Sequence, residues 1–133
     1  MPFVLDASVT ASWAFPDEVD PIASAALERL RADDALVPSL WWFEIRNTLI
    51  VNERRKRITV VAVDVFLAEL ASLGIAIDSE PDGERVMAIA RKYNLSAYDS
   101  AYLELAERAK SPLASLDGSL VKAAKAQKIA LIE

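Results

Sequence analysis

Pro2-Phe3-Val4-Leu5-Asp6-Ala7-Ser8 opens the chain with a short apolar run that stops on a carboxylate. A run this short, followed by a helix-like segment, reads as a fully buried strand of a parallel sheet with Asp6 at its C-terminal end. In open α/β sheets that edge is where ligands bind, because the loops leaving it diverge and open a crevice. The other side chains that arrive at this edge therefore decide the chemistry.

The 133 residues suit one domain, spanning 1–133. Such a chain buries about two-thirds of its unfolded surface. A composition of 53% hydrophobic and 26% charged residues, with only 3 Gly, argues against long disordered segments. Met1-Pro2-Phe3 leads into the strand without a basic region or a long apolar stretch, and no later apolar run reaches membrane-spanning length. A cytoplasmic protein with no membrane association is expected. The absence of Cys and His excludes disulfide frameworks, thiolate and imidazole metal sites, and Cys or His catalysis, so hydrolytic chemistry falls to carboxylates. A net charge of −5 disfavours nonspecific affinity for nucleic acid, which would need local basic patches or a bound cation.

Outward from the first strand, Ala7 to Phe15 suits a short helix broken at Pro16. Asp20-Pro21 opens a second helix, and Ala35-Leu36-Val37-Pro38 a second strand. Ser39 is placed to cap a third helix, from Leu40 to Arg54, in which Leu40, Glu44, Asn47 and Val51 share a face and two polar groups interrupt an apolar stripe. Thr59 starts a fourth helix with Val63, Phe66, Leu67, Leu70 and Leu73 as its buried face and Gly74 as its stop. Ile75-Ala76-Ile77 is a third strand, and Asp82 caps a fifth helix. Ser96-Ala97-Tyr98-Asp99 is a capping-box pattern opening a sixth, with Tyr98, Tyr102, Leu105 and Ala109 on one face. Leu113 to Leu116 is a fourth strand ending at Asp117, followed by a helix from Gly118 and a last strand, Ile129 to Ile132. Alternating strands and helices specify an α/β/α sandwich with a parallel sheet. If the strands ending at Asp6 and Asp117 are neighbours, their carboxylates lie about 4.8 Å apart.

Each acid has a plain structural explanation. Asp6 and Asp117 could be helix N-caps, Asp99 the third residue of a capping box, and Glu44 the buried partner of an arginine. No Lys or Arg lies three or four residues from Glu44, so its partner would have to be distant. Gathered at one crevice, however, carboxylates repel. At about 4 Å and an effective dielectric near 20, one like-charged pair costs roughly 4 kcal/mol, so a cluster must be protonated, paired or metal-loaded. Hard oxygen donors without imidazole or thiolate point to Mg²⁺ or Mn²⁺, and such a site suits phosphoryl transfer.

Four blocks in this order carry a resemblance: Val4-Leu5-Asp6-Ala7-Ser8, Phe43-Glu44-Ile45-Arg46-Asn47, Leu95-Ser96-Ala97-Tyr98-Asp99-Ser100-Ala101-Tyr102-Leu103 and Leu113-Ala114-Ser115-Leu116-Asp117. The chain resembles PIN-domain ribonucleases, specifically the toxin half of VapBC-type toxin–antitoxin pairs. The resemblance implies a five-stranded sheet of order 3-2-1-4-5 and an acidic quartet of Asp6, Glu44, Asp99 and Asp117 holding Mg²⁺ or Mn²⁺. Ser8, Asn47 and Ser115 would orient the acids or bind water. It further implies a homodimer, a VapB-type antitoxin lying across the groove, and cleavage of structured RNA such as transfer or ribosomal RNA. Unlike some relatives, the chain has Gly118, Ser119 and Leu120 rather than a further acid after Asp117.

Arg46 is the cation best placed to contact RNA; the Arg54-Arg55-Lys56-Arg57 run and Lys122, Lys125 and Lys128 suit a solvated surface. Trp13, Phe15, Trp41, Trp42 and Phe43 are more aromatic density than a small core absorbs easily, so an exposed aromatic groove for an antitoxin helix is an expectation. Two other readings compete with the nuclease: an aspartyl-phosphate receiver or phosphatase with Asp6 as acceptor, and a noncatalytic module that keeps the fold without a working metal site.

Overall fold

A computed structural model describes residues 1–133. Four parallel strands, β1 (Phe3–Leu5), β2 (Ala35–Pro38), β3 (Ile75–Asp78) and β4 (Leu113–Ala114), form a sheet in the order β3-β2-β1-β4. Helices α1 (Ala7–Ser12), α2 (Pro21–Arg29), α3 (Leu40–Arg54), α4 (Val60–Ala71), α5 (Gly83–Tyr93), α6 (Ala97–Ala109) and α7 (Gly118–Ala126) connect and cover them. The parallel α/β/α reading holds; the fifth strand does not. Ile129 to Ile132 makes only an isolated bridge, Leu131 beside Leu113, with Leu113 N–H donating to Ala130 and Ile132 N–H to Leu113. β4, a neighbour of only two residues, offers it little to pair with.

β1 is the centre of the core. Phe3, Val4 and Leu5 are fully buried, as a strand with neighbours on both sides and helices on both faces requires. Across it packs α6, through Tyr102, Leu103, Leu105 and Ala106, while α1 lies against α2 and α3. Trp13 donates its indole N–H to the Ala23 carbonyl and Trp41 donates to Thr10 Oγ1, so these two aromatics tie helices together, though each also borders a surface hollow.

Local chemistry explains most helix boundaries. Asp20, Thr59, Asp82, Ser96 and Asp117 each accept a backbone N–H from the first turn that follows. Ser39 does not cap: its backbone is already helical and its side chain makes no cap bond. The first helix stops at Ser12, short of Phe15, because Trp13, Ala14 and Phe15 continue as three-residue turns. Beyond the end of α4, Gly74 keeps an ordinary backbone; its lack of a side chain admits Asp34, whose Oδ1 would lie 2.5 Å from an added Cβ. The left-handed positions fall instead on Lys56, Asn94, Lys110 and Lys128.

The α3–α4 side of the molecule is incompletely covered. Of the expected α4 face, only Leu70 is buried; Val63, Phe66, Leu67 and Leu73 are half-buried, and Val60, Val61 and Val65 face solvent. Nothing in the chain lies over them. Between α3 and α4 runs a hollow of about 610 Å³ lined by Phe43, Arg46, Asn47, Leu49, Ile50, Val63 and Leu67. A smaller one of about 150 Å³ adjoins it, reaching Trp42, Ile75 and Ile77.

Candidate active site at the carboxyl edge of the sheet

Asp6 follows β1 and precedes α1, yet it is not an N-cap in the chemical sense: its side chain takes no backbone N–H of the helix. Its Oδ2 instead accepts two hydroxyl bonds, from Ser8 and Ser115, each 2.7 Å long. Their direction is fixed. Ser8 Oγ accepts the Leu116 N–H and Ser115 Oγ accepts the Asp117 N–H, and an N–H can only donate, so both hydroxyl protons are free to point at Asp6. No side chain donates to Oδ1, and the Ala7 N–H is near enough to the carboxylate to lower its pKa slightly. Asp6 is 5% exposed, and burial raises its pKa despite the two hydroxyls, with Asp117 adding repulsion.

β4 pairs with β1 so that Ala114 lies beside Leu5. Continuing that register sets Ser115, not Asp117, opposite Asp6. The expected carboxylate pair one strand spacing apart is thus interrupted by a hydroxyl, since β4 ends two residues earlier than its apolar run suggests. Asp117 lies one step on and caps α7, its Oδ1 accepting the Leu120 N–H at 3.0 Å. Asp99 enters from the N-terminus of α6. Ser96 caps that helix by accepting the Asp99 N–H, but the Asp99 carboxylate does not reciprocate, so half of the capping box is missing and the acid is left without a partner. Burial raises its pKa, followed by the charges of Asp117 and Asp6.

Glu44 enters from α3. The buried stripe of that helix is Trp41, Ile45, Leu49 and Asn52, and Glu44 flanks it half-buried, without any cation. Its Oε1 accepts the Tyr102 hydroxyl at 2.6 Å. Desolvation raises the Glu44 pKa, the Tyr102 bond opposes it, and Asp6 and Asp99 raise it further. Each of these three acids thus senses at least one other acid of the four, and none of the four forms an ion pair within the chain. No three of them stand close enough together to hold a metal ion as they are.

The remaining expected residues separate. Ser8 and Ser115 are at the site. Asn47 is exposed, makes no hydrogen bond and lines the α3–α4 hollow. Arg46 turns the same way: its guanidinium stacks 3.7 Å from the Trp42 ring centre and donates to the Trp42 carbonyl, and desolvation lowers its pKa. Among the aromatics, Phe43 and Trp42 are exposed, whereas Trp13, Phe15 and Trp41 are structural. Two features escaped the sequence reading. Tyr102, assigned to a common face with Tyr98, is fully buried while Tyr98 is 68% exposed. An Arg108–Asp78–Glu104 cluster was not singled out either; the i, i+4 spacing of Glu104 and Arg108 was its only signal.

Three comparisons bear on this geometry. The chain is 29% identical over 125 residues to Ribonuclease VapC3 of Pyrobaculum aerophilum, covering 92% of this chain and 94% of that one. Its fold matches the crystal structure of PAE2754 from Pyrobaculum aerophilum with a TM-score of 0.71 at 22% identity, over 92% of this chain and 84% of that one. It also matches VapC20 of Mycobacterium tuberculosis, a sarcin–ricin loop cleaving toxin, with a TM-score of 0.59 at 13% identity, over 91% and 94%. The model of the PIN domain matches residues 3–126, and the chain belongs to the PIN-domain family.

Proposed function

We propose that the chain is a metal-dependent endoribonuclease toxin of the VapC type that hydrolyses phosphodiester bonds of a structured RNA. The carrying observation is the state of Asp6: a buried carboxylate with one oxygen fixed by two hydroxyls and the other without a side-chain partner, beside acids that have no cation. Such a donor set, all carboxylate and hydroxyl oxygen, fits a hard divalent ion. PIN-domain ribonucleases generally use one. Asp6, Glu44, Asp99 and Asp117 would hold Mg²⁺ or Mn²⁺, which when bound activates water and offsets charge on phosphate oxygens. Ser8 and Ser115 keep Asp6 oriented as an acceptor.

Arg46 we assign to a partner rather than to RNA, because it lies on Trp42 in the apolar hollow. A VapB-type antitoxin helix with an apolar face and one acidic side chain suits that hollow. A homodimer belongs to the same proposal, and light scattering reads it. VapC20 cleaves the sarcin–ricin loop; transfer and ribosomal RNA are accordingly the substrates to examine first.

The test is transcriptome-wide mapping of new RNA 5′ ends after brief induction without antitoxin, comparing the natural sequence with Asp99→Asn. Discrete cuts with the natural sequence alone support the proposal. Equal cutting by both proteins, or none in the source organism while both are folded, contradicts it.

A further inference from the structure

We infer that Tyr102 is a positioning residue that fixes the Glu44 carboxylate, an inference that rests on the metal-site reading above. Its ring is fully buried in the core between the sheet and α6, so the phenol is carried on a rigid body. The hydroxyl has one proton, which goes to Glu44 Oε1 at 2.6 Å, while its oxygen accepts the Ala7 N–H at 3.3 Å. A single oxygen thereby joins α1, α3 and α6, the elements that begin beside Asp6 or carry Glu44 and Asp99.

The choice of a phenol has a chemical reason. Glu44 lies near two other acids and would swing away from them toward water if it were free. An arginine or lysine would hold it but would also neutralise it, as Arg108 does for Glu104 elsewhere in the molecule. A tyrosine donates one bond and brings no charge, and it leaves Oε2 outside the contact. Burial and the adjacent acids push the Tyr102 pKa upward, so the proton stays on the phenol.

Tyr102→Phe removes that oxygen alone. Calorimetric titration with Mn²⁺ should show affinity falling about 10-fold or more, the usual size for a group that orients a ligand. In a Glu44→Gln background, itself weakened, the same substitution should add little, because the oxygen then has no carboxylate to place. The inference is overturned if Tyr102→Phe binds Mn²⁺ as the unsubstituted chain does, or if it weakens binding by the same factor in both backgrounds, as a general loosening of the core would. If the unsubstituted chain binds no Mn²⁺, the metal-site reading falls and this inference with it; normal binding in Tyr102→Phe removes this inference alone. Circular dichroism and the melting temperature of each variant, read alongside the titration, separate loss of Mn²⁺ affinity from loss of the fold.

Discussion

Asp78 and Glu104 face an arginine, whereas Asp6, Glu44 and Asp99 face hydroxyls and one another. Arg108 donates to both Asp78 oxygens at 2.9 and 3.0 Å, and to Glu104 at 2.7 and 3.2 Å, while Glu104 also accepts the Asp82 N–H. This clamp ties the end of β3 and the start of α5 to α6. The Arg108 bonds hold the Asp78 carboxyl below its ordinary pKa. At the sheet edge, burial pushes Asp6, Glu44 and Asp99 the other way, and hydroxyl bonds only partly oppose it at Asp6 and Glu44. The same side-chain chemistry therefore stabilises the fold in one place and burdens it in the other. Acids whose charge folding alone does not favour are candidates for a binding site.

Removing the cation of the clamp should have the largest effect. Arg108→Ala strands Glu104, which is 1% exposed, and should cost about 3 kcal/mol in urea denaturation at neutral pH. A loss below ~1 kcal/mol would dissolve the contrast. Glu104→Gln keeps the shape, weakens the charge-assisted bonds and should cost about 2 kcal/mol. The equivalent change at the edge, Asp99→Asn, should have the opposite sign, stabilising the cation-free protein by a few tenths to about 1 kcal/mol once its partial exposure to water is allowed for. Destabilisation equal to that of Glu104→Gln would show that the two clusters are alike.

The smallest effect is in pH dependence. Asp78, with its folded pKa depressed, contributes stability present above its unfolded value and lost as pH falls through the folded one. The raised acids do the reverse: between their ordinary and raised values the folded chain binds more protons than the unfolded chain, so their stability falls as pH rises through that window. Melting scans without divalent cations should therefore show Asp99→Asn flattening the loss on the alkaline side of the ordinary carboxylate range. Arg108→Ala should flatten the loss on its acid side. A common response in both would merge the clusters.

How much of this was legible follows from what each feature depends on. β1, its terminal aspartate and the capped helix starts depend on neighbours in sequence, and Asp20, Thr59, Asp82 and Ser96 act as read. The fifth strand depended on the length of its partner, and β4 spans only Leu113–Ala114. The end of α3 at Arg54 falls as read although Lys56, not Gly, takes the left-handed position behind it, whereas α1 ends before Phe15 and α4 before Gly74. The four acids were visible as chain-local patterns, but the α3 stripe of Leu40, Glu44, Asn47 and Val51 is not the buried one: that face runs through Trp41, Ile45, Leu49 and Asn52, and Glu44 only flanks it. The hydroxyl that Glu44 accepts, from Tyr102, lies 58 residues away and could not be read from spacing. Arg46 was drawn toward the acids by its sequence neighbours, yet two residues along a helix turn it toward the opposite flank.

The central claim is that the uncompensated acids, and not the clamped ones, take up a divalent cation. Calorimetric titration with Mn²⁺ of the unsubstituted chain, Asp6→Asn and Glu104→Gln puts it to the test directly. The account predicts saturable binding by the unsubstituted chain and by Glu104→Gln, with affinity at least about 10-fold weaker in Asp6→Asn. Equal affinity in all three proteins, or no binding by the unsubstituted chain, would contradict it.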